Sequence, residues 1–194
     1  NKKKVLICVH DFFDAAHLHR NNLFVDFNEW LEFLGKLSEK TNYEWYIKTH
    51  PYYDKKFKFY QSISFRTMEK IVNKYNKIKI LPNDYSHKRI VKEGVDLVLT
   101  VYGSVAIEYA LMNKKVITAC KNNLFCDFNF NIHPKSIRDY KDKILNFEKI
   151  KINISQNEIY QYYFARHLHH DVNWLVPNYE KFIKYANFNE NLDI

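Results

Sequence analysis

In the stretch VDLVLTVYGSVAIEYALMNKKVITA, Val95 to Ala119, a glycine and a serine (Gly103 and Ser104) end an apolar run, and Glu108 follows one helical turn later. The stretch reads as strand, tight turn, helix, strand. Asp96 to Val101 is rich in β-branched residues, the mark of a strand buried on both faces. Gly103 lets the chain turn sharply after Tyr102 and approach a ligand closely. Ser104 stands at a helix N-cap position, and Val105 to Met112 carry the helix. Helix starts that follow parallel strands present free N–H groups and a positive dipole end, which suit phosphate. Glu108 falls on the same helix face as Ser104. A hydroxyl on phosphate and a carboxylate on ribose hydroxyls would outline a nucleotide-sugar site. An ordinary βαβ unit, with Ser104 capping and Glu108 solvated, fits the same pattern.

Three other segments end apolar runs abruptly: His10 to Asp14, Lys48 to Pro51, and Leu81 to Ser86. In an open parallel sheet, ligands bind beyond the carboxyl ends of the strands, where all four segments would converge. Pro51 biases His50 toward an extended backbone, so its imidazole can point off the sheet edge. There it could donate to a phosphate or protonate a leaving group, or it could simply end a strand before a turn. Asp11 and Asp14 could act as bases, or cap a helix or orient a histidine. His17, His19, His167, His169 and His170 invite a metal reading, but no carboxylate or cysteine completes a recognisable set, and a structural or solvated role is expected. No GxGxxG follows the first strand, and Gly103-Ser104-Val105 lacks the surroundings of a nucleophile elbow.

The elements that must position these residues alternate strand and helix. Strands are expected over Lys4–His10, Tyr43–Thr49, Ile78–Leu81, Asp96–Val101 and Lys115–Ala119. Helices are expected over Phe27–Lys40, Ser64–Tyr75, Ser86–Lys92 and Val105–Met112. This alternation predicts an α/β fold: a Rossmann-like parallel sheet of about five to six strands, with helices on both faces. After Ala119 the pattern weakens into a polar, aromatic loop to His133. Helices then follow from Pro134 or Lys135, from Ser155 to His170, and from Asn178 to Tyr185. The whole chain, 1–194, reads as a single domain.

The 194 residues suffice for one sizeable core, and 46% are apolar. No apolar run is long enough to span a bilayer, and no secretory signal is visible. The three cysteines, Cys8, Cys120 and Cys126, lack metal spacing, and reduced thiols are expected. The formal charge of +8 is carried by scattered lysines in a composition rich in Lys, Asn, Ile, Tyr and Phe. No nucleic-acid motif accompanies it, so no nucleic-acid partner is expected.

IKTHP, Ile47 to Pro51, followed by VDLVLTVYGSVAIEYAL, resembles bacterial capsule and surface-polysaccharide glycosyltransferases of the GT-B type, a group related to Kdo transferases and bacterial sialyltransferases. VHDFFDAAH, from Val9, and DFNEWLEFL, from Asp26, resemble the opening of the C-terminal domain in related capsule enzymes. The resemblance implies His50 and Pro51 as the HP motif and Gly103 and Ser104 as the second donor motif. Glu108 matches the acidic residue that follows in many members. Tyr102-Gly103 replaces paired serines or threonines common in sialyltransferases, so CMP-Kdo, CDP-, UDP- and GDP-linked donors all remain open.

By the same resemblance, the chain is the C-terminal, donor-binding half of a two-domain enzyme, consistent with a first residue, Asn1, that is not Met. His50 and Asp14 are the catalytic candidates, and the donor set is His50, Pro51, Tyr102, Gly103, Ser104 and Glu108. No cofactor or metal is expected; the nucleotide sugar is a substrate. Implied partners are the donor, a glycan or lipid-linked acceptor and the N-terminal domain. The implied location is the cytoplasm, free or at the inner face of the inner membrane. Two alternatives stand beside this reading: half of a sugar-nucleotide epimerase, and a non-catalytic protein-interaction module without nucleotide affinity.

Overall fold

The computed structural model describes residues 2–12, 22–50, 58–121, 125–169, 177–182 and 184. Asp14, Pro51, His17, His19 and His170 lie outside the described residues. The chain divides into two compact units, one through Gln156 and one from Asn157.

The first unit holds five strands, β1 (Lys4–Cys8), β2 (Glu44–Lys48), β3 (Ile78–Ile80), β4 (Leu97–Thr100) and β5 (Lys115–Thr118). All pair in parallel in the order β3-β2-β1-β4-β5. The chain steps outward from β1 through β2 to β3, then returns to the other side of β1 for β4 and β5. The order therefore reverses between β1 and β4, and the crevice beyond the carboxyl ends of these two strands is the topological switch point.

The strand residues sort by the two-residue pleat. Val5, Ile7, Trp45, Ile47, Leu97, Leu99 and Ile117 share a core with helices α1 (Phe27–Ser38), α2 (Lys58–Lys74) and α5 (Ile137–Leu145). The alternate residues Leu6, Cys8, Val98 and Val116 are equally buried. Their side of the sheet carries α3 (His87–Lys92) and α4 (Val105–Leu111), which bury Ile90, Ala106, Tyr109 and Ala110. Helices thus flank the sheet on both faces.

α1 forms because Trp30, Leu31, Leu34 and Leu37 recur on one face, all buried, and because Asp26 caps it by accepting from the Glu29 N–H at 2.7 Å. The Glu29 carboxylate in turn accepts from the Val25 N–H at 2.7 Å. Within the core the Trp30 indole donates to the Tyr140 hydroxyl of α5 at 2.9 Å, tying these two helices together. Ser86 caps α3, and Gly94 turns the chain out of it at φ +85°, a conformation that favours glycine.

Several element boundaries differ from the sequence expectation. α2 begins at Lys58 rather than Ser64. α5 begins at Ile137, after Ser136, rather than at Pro134 or Lys135. The loop after β5 is not free of the sheet, because Ile132 exchanges backbone hydrogen bonds with Val116 and Thr118. The second unit continues α6 (Gln156–Tyr163) into a π-helical turn, Phe164–Leu168, where the His169 N–H reaches the Phe164 carbonyl at 2.8 Å. His167 and His169 on this turn are exposed, and no metal-holding group of three or more His, Cys, Asp or Glu occurs among the described residues. No helix among them is long and apolar enough to cross a membrane.

Candidate functional site

A crevice of about 310 Å³ opens at the switch point, lined by residues that follow or end three of the strands. β1 supplies Cys8 and His10, β2 supplies Lys48, Thr49 and His50, and β4 supplies Thr100 and the strip Tyr102-Gly103-Ser104. Glu108 of α4 and His87 of α3 close it from the helix layer. The volume lies at the lower end of the range typical of small-ligand pockets, about 300–1,000 Å³. His50, Tyr102, Gly103, Ser104 and Glu108 are thereby brought together.

His10 braces the β4 strip. Its ring stacks on Phe27, with centroids 4.8 Å apart and planes 4° from parallel, and packs against Tyr102 at 4.4 Å. Its Nε2 accepts from the Tyr102 backbone N–H at 3.3 Å and lies 3.2 Å from the Thr100 hydroxyl.

Gly103 is required by this packing and not by its backbone angle, since Gly94 is the glycine with positive φ among the described residues. A Cβ at position 103 would lie 3.0 Å from Thr100 Oγ1, 3.2 Å from His10 Cε1 and 3.4 Å from Val105 Cγ1. Glycine lets the strip lie against the His10 ring. Gly103→Ala should push the strip outward by tenths of an ångström, cost about 1 kcal/mol as a mild overpacking, and weaken ligand binding several-fold. Thermal melts and calorimetry on the same preparation separate the two effects.

Ser104 occupies the position before α4, but its backbone is already helical (φ −56°, ψ −23°) and its side chain makes no capping hydrogen bond. The Gly103 carbonyl accepts the Ala106 N–H instead. The reading of Ser104 as a cap is therefore corrected: the residue is exposed and lines the crevice. Glu108 is also exposed, one turn along the same helix.

Lys48 and His87 were not singled out by sequence reasoning. Lys48 ends β2 with 7% of its surface exposed, and its ammonium donates to the Asn83 carbonyl at 2.6 Å. Thr49 hydrogen-bonds the side chain of the same Asn83. These bonds moor the β2 end to the turn after β3 and hold a buried cation at the crevice wall. His87 is half-buried, and burial pushes its imidazole below the usual histidine range, with Glu108 opposing that shift and Lys48 adding to it. Burial likewise raises the Cys8 thiol well above its ordinary value, so it is protonated and not a nucleophile at neutral pH.

The crevice lining thus combines a buried ammonium and three imidazoles (His10, His50 and His87) with a carboxylate and a hydroxyl on α4. The first set suits phosphate oxygens, and the second suits the hydroxyls of a ribose.

No protein-family model matches the chain, and no curated protein matches it significantly. Among solved structures it is similar to UDP-GlcNAc 2-epimerase from Neisseria meningitidis bound to UDP-GlcNAc, at 12% identity and a TM-score of 0.50 over 97% of this chain and 44% of that one. The wall teichoic acid polymerase TagF is matched at 15% identity and a TM-score of 0.48, over 99% of this chain and 45% of that one. The chain spans less than half the length of either structure. At such identity the likeness speaks for architecture alone, and the architecture of this chain is a Rossmann-like α/β fold.

Proposed function

We propose that this chain is the donor-binding half of a two-domain GT-B glycosyltransferase that uses a nucleotide-activated sugar to build capsule or another surface polysaccharide. The observation that carries the proposal is the convergence of Lys48, His50, Ser104 and Glu108 on one crevice at the switch point of a parallel sheet. Lys48 and His50 face the phosphates, Ser104 donates to them from the α4 side, and Glu108 accepts from the ribose hydroxyls. In transfer, an acceptor hydroxyl attacks the anomeric carbon as the bond to the nucleotide phosphate breaks. Negative charge then grows on the departing phosphate, where Lys48 and His50 are already in place to stabilise it. The acceptor proton passes to a base on the other half of the enzyme or to Asp14. No step in this scheme needs a bound cofactor.

The test is a calorimetric titration of the chain with CMP, CDP, UDP and GDP. Saturable one-site binding of at least one of them is expected, and binding of none would remove the proposal in favour of an interaction module. Product analysis with the restored N-terminal half separates a transferase from an epimerase, since the latter returns a nucleotide-bound sugar and needs no acceptor. Within the same site, Glu108→Gln keeps the side-chain shape but removes the charge that strengthens the ribose contact. It should weaken nucleotide binding about fivefold, the equivalent of about 1 kcal/mol, with an unchanged melting temperature. A mutant that melts early and binds normally once folded would make Glu108 a structural residue.

A further inference from the structure

Tyr109 of α4 is fully buried, and among the described residues its hydroxyl has one hydrogen-bond partner, Nδ1 of His87 at 2.9 Å. The two rings meet edge to face, with centroids 5.3 Å apart and planes at 84°. Burial raises the Tyr109 phenol far above its ordinary range, with the neighbouring Cys8 and Glu108 adding to the effect, so it keeps its proton. A buried O–H needs an acceptor. If His87 carried its proton on Nδ1, that N–H would donate to the phenol oxygen, and the phenol proton would be stranded in the core. With the phenol donating to Nδ1, both groups are satisfied and the imidazole proton sits on Nε2. That nitrogen makes no protein hydrogen bond among the described residues, and the imidazole to which it belongs lines the crevice with Lys48 and Glu108.

We propose that Tyr109 locks His87 as its Nε2–H tautomer, and that His87 thereby offers one neutral N–H donor to a phosphate oxygen of the bound nucleotide, beside the Lys48 ammonium. The proposal rests on the donor-site reading above and adds a ligand contact on α3. A donor placed next to a cation suits an anionic oxygen, and the neutral ring adds a directed hydrogen bond without a second desolvated charge. The charged groups acting on His87 are Lys48 and Glu108, which oppose one another, while burial favours the neutral ring.

The tautomer is read directly from the imidazole 15N shifts of the full ligand-free chain at pH 7.5. The proton is expected on Nε2 in the wild type, with Tyr109→Phe allowing the Nδ1–H form to appear. Binding is read by titrating CMP, CDP, UDP and GDP into the wild type, His87→Gln and His87→Asn. Glutamine can place an N–H near the Nε2 position, whereas asparagine places it near Nδ1. The glutamine variant should bind within about threefold of wild type and the asparagine variant roughly tenfold more weakly. A wild-type His87 protonated on Nδ1, or equal binding by all three proteins, would overturn this inference and leave the donor-site reading standing. A wild type that binds none of the four nucleotides would overturn both.

Discussion

Replacing His50 with alanine is expected to weaken nucleotide binding by about 10- to 150-fold, the equivalent of about 1.5–3 kcal/mol for a lost hydrogen bond to a charged group. The imidazole stands at the carboxyl end of β2, half-buried in the crevice wall two residues beyond the buried Lys48 ammonium. It is outside the sheet core, so the melting temperature should move by no more than about 2 °C. In the assembled enzyme the same substitution should lower turnover at least as much as binding, because the phosphate charge grows as the donor bond breaks. Titration calorimetry and a thermal melt on one sample decide the matter. Near-normal affinity in a folded mutant would return His50 to the role of a strand-end residue.

The largest expected effect on stability comes from Gly35→Ala in α1. An added Cβ would lie 2.2 Å from Cδ2 and 2.3 Å from Cε2 of the Tyr75 ring, inside any tolerable contact. Tyr75 cannot swing aside freely, because it is 6% exposed and its hydroxyl donates to Glu32 at 2.7 Å. Alanine recovers about 1 kcal/mol of helix propensity. Overpacking and the strained Tyr75–Glu32 bond outweigh that gain, leaving a net loss of about 1–3 kcal/mol, or roughly 2–12 °C in melting temperature. Nucleotide affinity measured well below the melt should be unaltered, since Gly35 is remote in the chain and absent from the crevice lining. An unchanged or raised melting temperature would show that α1 and α2 can separate at no cost.

The fold was largely legible because its signals are local. Four of the five strands run into a polar or proline-containing segment, and each observed strand lies within its expected range. The start of α2 was missed because Lys55-Lys56-Phe57 offers no cap-type residue ahead of Lys58, whereas Ser64 is one. The start of α5 was displaced because Pro134 marks a helix entry by default. The actual entry is a reciprocal cap, with Ser136 accepting from the Asp139 N–H at 3.1 Å and Asp139 accepting from the Lys135 N–H at 2.8 Å. An aspartate fills the place that a capping box usually gives to glutamate or glutamine.

The site was legible where it hangs on motifs and illegible where it depends on packing. His50, Gly103, Ser104 and Glu108 announce themselves at strand ends and one turn apart. The reason for Gly103 was only partly readable, because beside its near neighbours Thr100 and Val105 the Cβ would meet the ring of His10, far away in sequence. Lys48 carried one faint signal, a lysine ending a strand whose neighbours are apolar. His87 carried none, since its role depends on a hydroxyl presented from α4.

The central claim is that the crevice at the β1/β4 switch point holds a nucleotide. Backbone amide spectra of the chain titrated with UDP, and with CMP, CDP and GDP in turn, test it most directly. The account predicts saturable shifts for at least one nucleotide, concentrated at Lys48 to His50, Tyr102 to Ser104, His87 and Glu108. Shifts confined to the opposite, amino-terminal edge of the sheet, or no shifts with any of the four, would contradict it.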